Sequence, residues 1–303
     1  MTRGLNLQAL VVLLRWPAVA AFSGGGIFLA ASLAEPAHRV ERWFDLLLLT
    51  LAVLALHGVT SHALNDWIDW LSGTDKLSPG LLSGGSRIIP RGLASTRDLI
   101  FVGIAALILT LILSFWLVVR RGTGVLLPFA VGFWSVLAYS LPPLRLAYRP
   151  ILGEWLAAFP ALLACILGAF WILTGHLGQD IWLAALIYGF LALAWFAEHH
   201  LADISADLAA QPQKLTTAAW VNLLYGRAAT RYVPSLYALL ALLPVAFAAS
   251  AKGRTLLLAA LPALASSALA LMADPSSALA TTRAEQAMMV LAMLEAGLLI
   301  LLF

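Results

Sequence analysis

Charged residues are scarce in this 303-residue chain, where Asp, Glu, Lys and Arg make up 11% of the sequence, against about 25% in soluble domains. With 62% hydrophobic residues, this shortage excludes a water-soluble domain, a disordered chain and a coiled coil. Cysteine is nearly absent too: Cys165, inside an apolar run, excludes a disulfide framework and a cysteine-based metal site. The 18 Lys and Arg are scattered and the net charge is only +3, which excludes a nucleic-acid-binding domain.

Long apolar stretches are what the chain has instead, each near the roughly 20 residues that a helix needs to cross a bilayer. Their hydrophobicity is continuous, whereas apolar and polar residues alternate in barrel strands. We therefore predict an all-α, polytopic membrane protein with about nine transmembrane helices in one domain, residues 1–303, and an interfacial helix at 5–14. The predicted spans are 17–34, 43–64, 98–119, 123–141, 152–174, 181–200, 232–250, 255–272 and 286–303.

Basic residues are unevenly distributed between the two sides of the predicted bundle. The side that holds the N-terminus carries twelve Lys and Arg, and the other side carries six. The positive-inside rule makes the first side cytoplasmic, which for a bacterial protein means the inner membrane. The two longest connections, 65–97 and 201–231, lie on this side and hold several acidic residues. We expect the chemistry to take place there.

Two acidic patterns stand at the membrane boundary. If helix two continues through Asn65, Asp66 and Asp69, their spacing places all three side chains on one helical face. Asp203 and Asp207, four residues apart, share a face in the same way. Neighbouring carboxylates repel one another unless a cation lies between them, and Mg²⁺ prefers one or two carboxylates plus substrate phosphates. The patterns favour a metal–diphosphate site; the alternative is a pair of solvated, acidic helix ends.

These patterns resemble the two aspartate-rich motifs of the UbiA superfamily of intramembrane prenyltransferases: NDWIDWLSGTD begins at Asn65, and DISAD begins at Asp203. Three other segments are similar to the same family in the same order. They are Arg15-Trp-Pro17, the basic stretch from Ser86 to Arg91, and YSLPPLR from Tyr139 to Arg145, followed by Gly153-Glu154. The resemblance covers roughly residues 10 to 300.

The resemblance implies helices around a central cavity and Mg²⁺-dependent transfer of an isoprenyl group from an isoprenyl diphosphate to a small-molecule acceptor in the bilayer. The metal ligands that it implies are Asn65, Asp66, Asp69, Asp75, Asp203 and Asp207. The catalytic residues are Asp66, Asp69, Asp203, Asp207 and Tyr139, whose ring can stabilise an allylic cation. The substrate-binding residues are Arg15, Asn65, Arg87, Arg91, Arg145, His199, His200 and Lys214.

Within the superfamily, the chain looks most like the branch that prenylates dihydroxynaphthoate in menaquinone synthesis. It departs from that branch in three places. Gly73 stands where a third acid is usual, so that Asp75 must replace it, and His199, His200 and Ala202 stand where paired Asn and then Arg are common. The third is the spacer between the second motif and Lys214, which is longer than usual. Several readings therefore stay open: a glycerophosphate or sugar phosphate lipid acceptor, a terpene cyclase, and a non-enzymatic transporter. The prenyl chain length and the oligomeric state do not follow from the sequence.

Overall fold

A computed structural model describes residues 7–79 and 82–303, and every regular element within those ranges is a helix. In this part of the chain nine helices are long and apolar enough to cross a membrane. The predicted all-α membrane fold is confirmed. We number these helices α1 to α9 in chain order: Trp16–Leu33, Trp43–Ser72, Thr96–Arg121, Thr123–Ser140, Glu154–Thr174, Gln179–His199, Arg227–Lys252, Arg254–Met272 and Ala278–Leu302.

Two of the helices extend eight residues beyond a predicted boundary, because their polar ends carry little apolar signal. Helix α2 continues to Ser72 rather than ending at residue 64, and it stops before Gly73, whose φ is +93°. Helix α9 begins at Ala278 rather than at 286, with the Ser277 side chain capping its first turn. The first long connection therefore begins at Gly73 and not at residue 65. The second long connection ends at Gly226, just before α7 begins.

A short helix, Leu7–Leu14, precedes α1. Residues 5 and 6 of the predicted interfacial helix lie outside the described residues. Ala9 and Leu13 are fully buried in a cluster that includes side chains of α2 and α3, so this helix packs partly onto the bundle. The chain then turns at Arg15, which has a left-handed φ of +45°. This turn points the chain into α1.

A cavity of about 510 Å³ opens inside the bundle. Its wall is formed by α1, α2, α4, α5, α6 and α9, and residues of the first long connection cover one end of it. Helix α6, which packs against α5, α7 and α9, is the central helix, and its Tyr188 is fully buried. The predicted central cavity is therefore present in the described residues.

The two long connections meet at the same end of the bundle. The short helices Thr74–Leu77 and Ile204–Ala209 pack against each other, one from each connection. The backbone N–H of Gln211 donates to the carbonyl oxygen of Ser72 at 2.8 Å. The fold thus brings the two acidic motifs together, although they lie more than a hundred residues apart in the sequence.

Candidate active site

The last two turns of α2 carry the first acidic motif on one face, as the spacing predicts. Asp66 and Asp69 are both 2% exposed. Asp66 pairs with the guanidinium of Arg15 and accepts hydrogen bonds from Ser86, whose backbone N–H lies 3.1 and 3.2 Å from the two carboxylate oxygens. Asn65 donates from Nδ2 to Oδ2 of Asp69 at 2.8 Å. The motif is therefore a buried, ordered cluster and not a solvated helix end.

Lys214 connects the two acidic motifs. Its Nζ lies 2.6 Å from Oδ2 of Asp69 and 3.9 Å from Oδ1 of Asp207. Burial alone would lower the pKa of Lys214, but the charges of these two carboxylates outweigh it and raise that pKa well above its ordinary value. Lys214 therefore stays cationic and holds the motifs together.

The second motif is covered by the glycine- and serine-containing segment of the first connection. Asp203, just before the helix Ile204–Ala209, accepts hydrogen bonds from Ser78 Oγ at 2.5 Å and from the backbone N–H of Gly84 at 2.9 Å. Asp207 is fully buried and receives a long hydrogen bond, 3.4 Å, from Thr216 Oγ1. The carboxylate of Asp203 thus faces the loop that follows the first motif, whereas that of Asp207 faces Thr216 and Lys214.

Asp75 stands next to the first motif, as the sequence requires if it replaces the acid missing at Gly73. Its Oδ2 and Oδ1 of Asp66 approach the same side of Gly85, where a Cβ would lie 2.3 and 2.9 Å from them. Burial, followed by the charges of Asp69 and Asp66, raises the pKa of Asp75 to about 8. Arg15 and Lys214 act in the opposite direction without outweighing these effects, so the cluster carries more negative charge than its buried surroundings favour.

Asp207 shows the same excess of negative charge in the second motif. Burial raises its pKa to about 8, although Lys214 acts in the opposite direction. Its Oδ1 is buried and has no hydrogen-bond partner among the described residues. An orphaned, buried carboxylate oxygen of this kind is an open position for a cation.

Five of the predicted site residues line the cavity: the predicted substrate-binding residues Arg15, Arg87, Arg91 and His199, and the predicted catalytic residue Tyr139. Arg87 also donates from Nη1 to the main-chain oxygen of Asp75 at 2.7 Å. The rest of the wall is mostly apolar or aromatic, including Phe129 and Phe196. A charged head group can therefore bind at the mouth while an apolar tail occupies the interior.

The other four predicted substrate-binding residues do not line the cavity: Asn65 and Lys214 belong to the acidic cluster described above, and Arg145 and His200 lie elsewhere. The Arg145 guanidinium stacks over the ring of Tyr148, 5.6 Å from its centroid. His200 is 8% exposed, and burial, with the charges of His199 and Lys214, lowers its pKa well below the ordinary value. Neither side chain forms part of the cavity wall.

The structure also adds residues that the sequence did not single out. Tyr148 donates to Asp69 Oδ1 at 2.8 Å, and Ser78 and Ser86 donate to the two motifs. Glu285 lines the cavity opposite His199. An acidic residue within an apolar helix would have indicated Glu285 as a site residue. The ninth span was predicted to begin at residue 286, so Glu285 fell just outside it.

No relative is found when this chain is compared with the curated proteins. Among solved structures, it is similar to a UbiA homolog from Archaeoglobus fulgidus bound to GPP and Mg²⁺, with a TM-score of 0.64, 17% identity, and coverage of 96% of this chain and 99% of that one. The same homolog bound to DMAPP and Mg²⁺ gives a TM-score of 0.62 at 17% identity, covering 97% and 99%. At this identity the similarity establishes the fold.

The family assignment comes from the sequence itself. The model of the UbiA prenyltransferase family matches residues 14–294, which include all nine spans apart from the last turns of α9. The matched region also contains the two aspartate motifs, the lysine that joins them and the cavity beneath. The chain belongs to the UbiA prenyltransferase family.

Proposed function

We propose that this protein transfers an isoprenyl group from an isoprenyl diphosphate to a small-molecule acceptor in a reaction that requires Mg²⁺. The observation that carries the proposal is the junction of two buried aspartate motifs above a largely apolar cavity. The Archaeoglobus fulgidus homolog of the same fold binds GPP or DMAPP together with Mg²⁺, which supports the donor and the metal.

The residues present fit Mg²⁺. The available donors are carboxylate oxygens, which this hard cation prefers, and Oδ1 of Asp207 is buried without a hydrogen-bond partner among the described residues, with only Lys214 Nζ at 3.9 Å. Within residues 7–79 and 82–303, no three His, Cys, Asp or Glu side chains surround one point closely enough to hold an ion alone. That arrangement suits a cation that shares its coordination between Asp66, Asp69, Asp203 or Asp207 and diphosphate oxygens.

When bound, Mg²⁺ neutralises the charge that builds up on the departing diphosphate. The chain's own cations, Arg15, Arg87 and Arg91, lie at the cavity end beside the motifs and are placed to bind the remaining diphosphate oxygens. Tyr139 presents its ring to the cavity, where an aromatic face stabilises the allylic cation. The apolar wall excludes water, which would otherwise quench that cation.

For the acceptor we propose an aromatic quinone precursor, with dihydroxynaphthoate as the first compound to test. Similarity of the YSLPPLR segment to the menaquinone branch supports this choice. So does the aromatic side of the cavity, where the rings of Tyr139 and Phe196 lie 6.2 Å apart.

The test uses protein purified in detergent, labelled geranyl diphosphate, and either MgCl₂ or a chelator. Dihydroxynaphthoate, hydroxybenzoate and glycerophosphate are compared at equal concentration. We expect a prenylated aromatic product that depends on Mg²⁺. Product from glycerophosphate alone would reject the aromatic acceptor, and a hydrocarbon released without any acceptor would indicate a cyclase. A non-enzymatic transporter would neither release diphosphate nor form product.

We also propose that the end of the bundle with the two long connections faces the cytoplasm, on the basis of its twelve basic residues against six. Alkaline phosphatase, which is active only in the periplasm, should be inactive when fused after Gly92 and active when fused after Gly253, between α7 and α8. The reverse pattern of activity would place the site on the periplasmic side.

A further inference from the structure

The cavity has a second polar feature, apart from the aspartate motifs, that the proposed function has not used. His199 lies at the end of α6 and Glu285 in the first turns of α9. Both side chains line the cavity, and they point toward each other. Apolar and aromatic side chains, Phe196 and Met289, line the cavity about one turn deeper on the same two helices. The pair therefore lies at the boundary between the diphosphate end and the apolar interior.

The two side chains form a close, buried hydrogen bond. Nδ1 of His199 lies 2.8 Å from Oε1 of Glu285, whose side chain is 5% exposed. A carboxylate in that position takes the Nδ1 proton as its hydrogen-bond donor and leaves the lone pair on Nε2. The His199 side chain keeps 20% of its surface open, and its Nε2 has no partner among the described residues. The ring thus presents a free proton acceptor.

The other cavity histidines lack this arrangement. Nδ1 of His62 contacts the main-chain oxygens of Leu13 and Gly58 at 3.1 and 3.0 Å, and Nδ1 of His57 contacts Ser23 Oγ at 2.6 Å. Neither has a carboxylate that would stabilise the charged imidazolium after it takes a proton. A base is most effective when such a partner holds its orientation and its charge, as in a carboxylate–histidine pair.

Resting on the prenyl-transfer function proposed above, we propose that His199 is the base that deprotonates the acceptor and that Glu285 is its positioning residue. The hydroxyl proton of the acceptor passes to Nε2 of His199. The O–H bonding pair stays on the acceptor and raises the electron density of the ring carbon or oxygen that acts as the nucleophile. That atom bonds to the allylic carbon of the donor as the carbon–oxygen bond to diphosphate breaks, and the diphosphate keeps that bonding pair. Where the new bond is to a ring carbon, the proton on that carbon leaves to water, or a carboxylate there leaves as CO₂, which restores the aromatic ring, and the oxygen takes its proton back from His199. Where the new bond is to oxygen, His199 gives its proton to water.

This assignment restricts the acceptor to compounds with an acidic hydroxyl. A phenol or naphthol meets the requirement because its deprotonation activates the ring, and its flat ring can pack against the neighbouring aromatic side chains Tyr139 and Phe196, which both line the cavity. A reaction without an acceptor, such as cyclisation, would have no use for a base at this place on the wall.

The test measures the donor and the acceptor steps separately in His199→Gln, Glu285→Gln and His199→Ala. With geranyl diphosphate and dihydroxynaphthoate or hydroxybenzoate, kcat should fall about 100-fold in His199→Gln and about tenfold in Glu285→Gln. The dissociation constant for geranyl diphosphate with Mg²⁺ should stay within about twofold, because neither side chain contacts the motifs. His176→Gln, in an exposed turn between α5 and α6, is the matched control and should keep wild-type kcat.

Added imidazole gives a readout that a purely structural role would not move. It should restore turnover to His199→Ala, which leaves space for it, and not to His199→Gln, which fills that space. Wild-type kcat in His199→Gln, or no rescue of a folded His199→Ala protein, would overturn the base assignment alone. If wild-type protein binds geranyl diphosphate but gives no product with either aromatic acceptor, the proposed acceptor fails first, and the base assignment fails with it.

Discussion

Replacing any one of four aspartates in the two acidic motifs by asparagine should reduce Mg²⁺-dependent prenyl transfer by more than about 100-fold, because one charge that stabilises the transition state is lost. The protein should still fold, because burial and the charges of neighbouring carboxylates raise the pKa of Asp75 and of Asp207, so that removing one negative charge relieves repulsion within the cluster. Asn has nearly the same size and keeps one carbonyl oxygen. The four variants are Asp66→Asn, Asp69→Asn, Asp203→Asn and Asp207→Asn.

The matched control is Asp180→Asn. Asp180 pairs with Lys252 at the opposite end of the bundle and is about half exposed, so this change also removes one carboxylate from an ion pair. Its activity should equal that of the wild type. Product formation from labelled geranyl diphosphate gives the rate, and thermal unfolding in detergent gives the stability. Full turnover in a chelator, or wild-type rates in two of the four motif variants, would contradict the metal site.

The parts of this protein that the sequence predicts are those governed by local periodicity. Nine apolar stretches long enough to cross a bilayer appear as nine helices within the described residues. The i, i+3 and i+4 spacing of Asn65, Asp66 and Asp69 places them on one face, since helical geometry alone determines that placement. The helix ends were harder to predict, because the polar last turns of α2 and first turns of α9 fall below any hydropathy threshold.

Local periodicity does not predict contacts between segments that are distant in the sequence. Tyr148 reaches Asp69 and Glu285 reaches His199 only because helices far apart in the sequence pack together. Arg145 has a left-handed φ of +42°, and its side chain stacks on Tyr148 instead of lining the cavity. No local pattern of residue types encodes a turn of this kind or the direction of the side chain that follows it.

The first long connection is where backbone conformation matters most, and Gly85 is its most constrained position. Its φ is +74°, which an L side chain rarely adopts, and a Cβ there would lie 2.3 Å from Asp75 Oδ2 and 2.9 Å from Asp66 Oδ1. Gly92 in the same connection has a φ of +66° and no atom within 4 Å of a Cβ. Both positions thus require a positive φ, but only Gly85 lacks space for a side chain.

This difference allows the strain of the backbone to be separated from the geometry of the site. Both Gly85→Ala and Gly92→Ala should lower the free energy of unfolding by about 1–2 kcal/mol, the cost of a left-handed residue. Gly85→Ala must also displace two motif carboxylates or the loop that covers them, and a misplacement of about 1 Å can cost about 100-fold in rate. We expect that loss of kcat in Gly85→Ala and activity within about twofold of wild type in Gly92→Ala. Equal activities in the two variants would show that the approach of the loop to Asp66 and Asp75 is unimportant for catalysis.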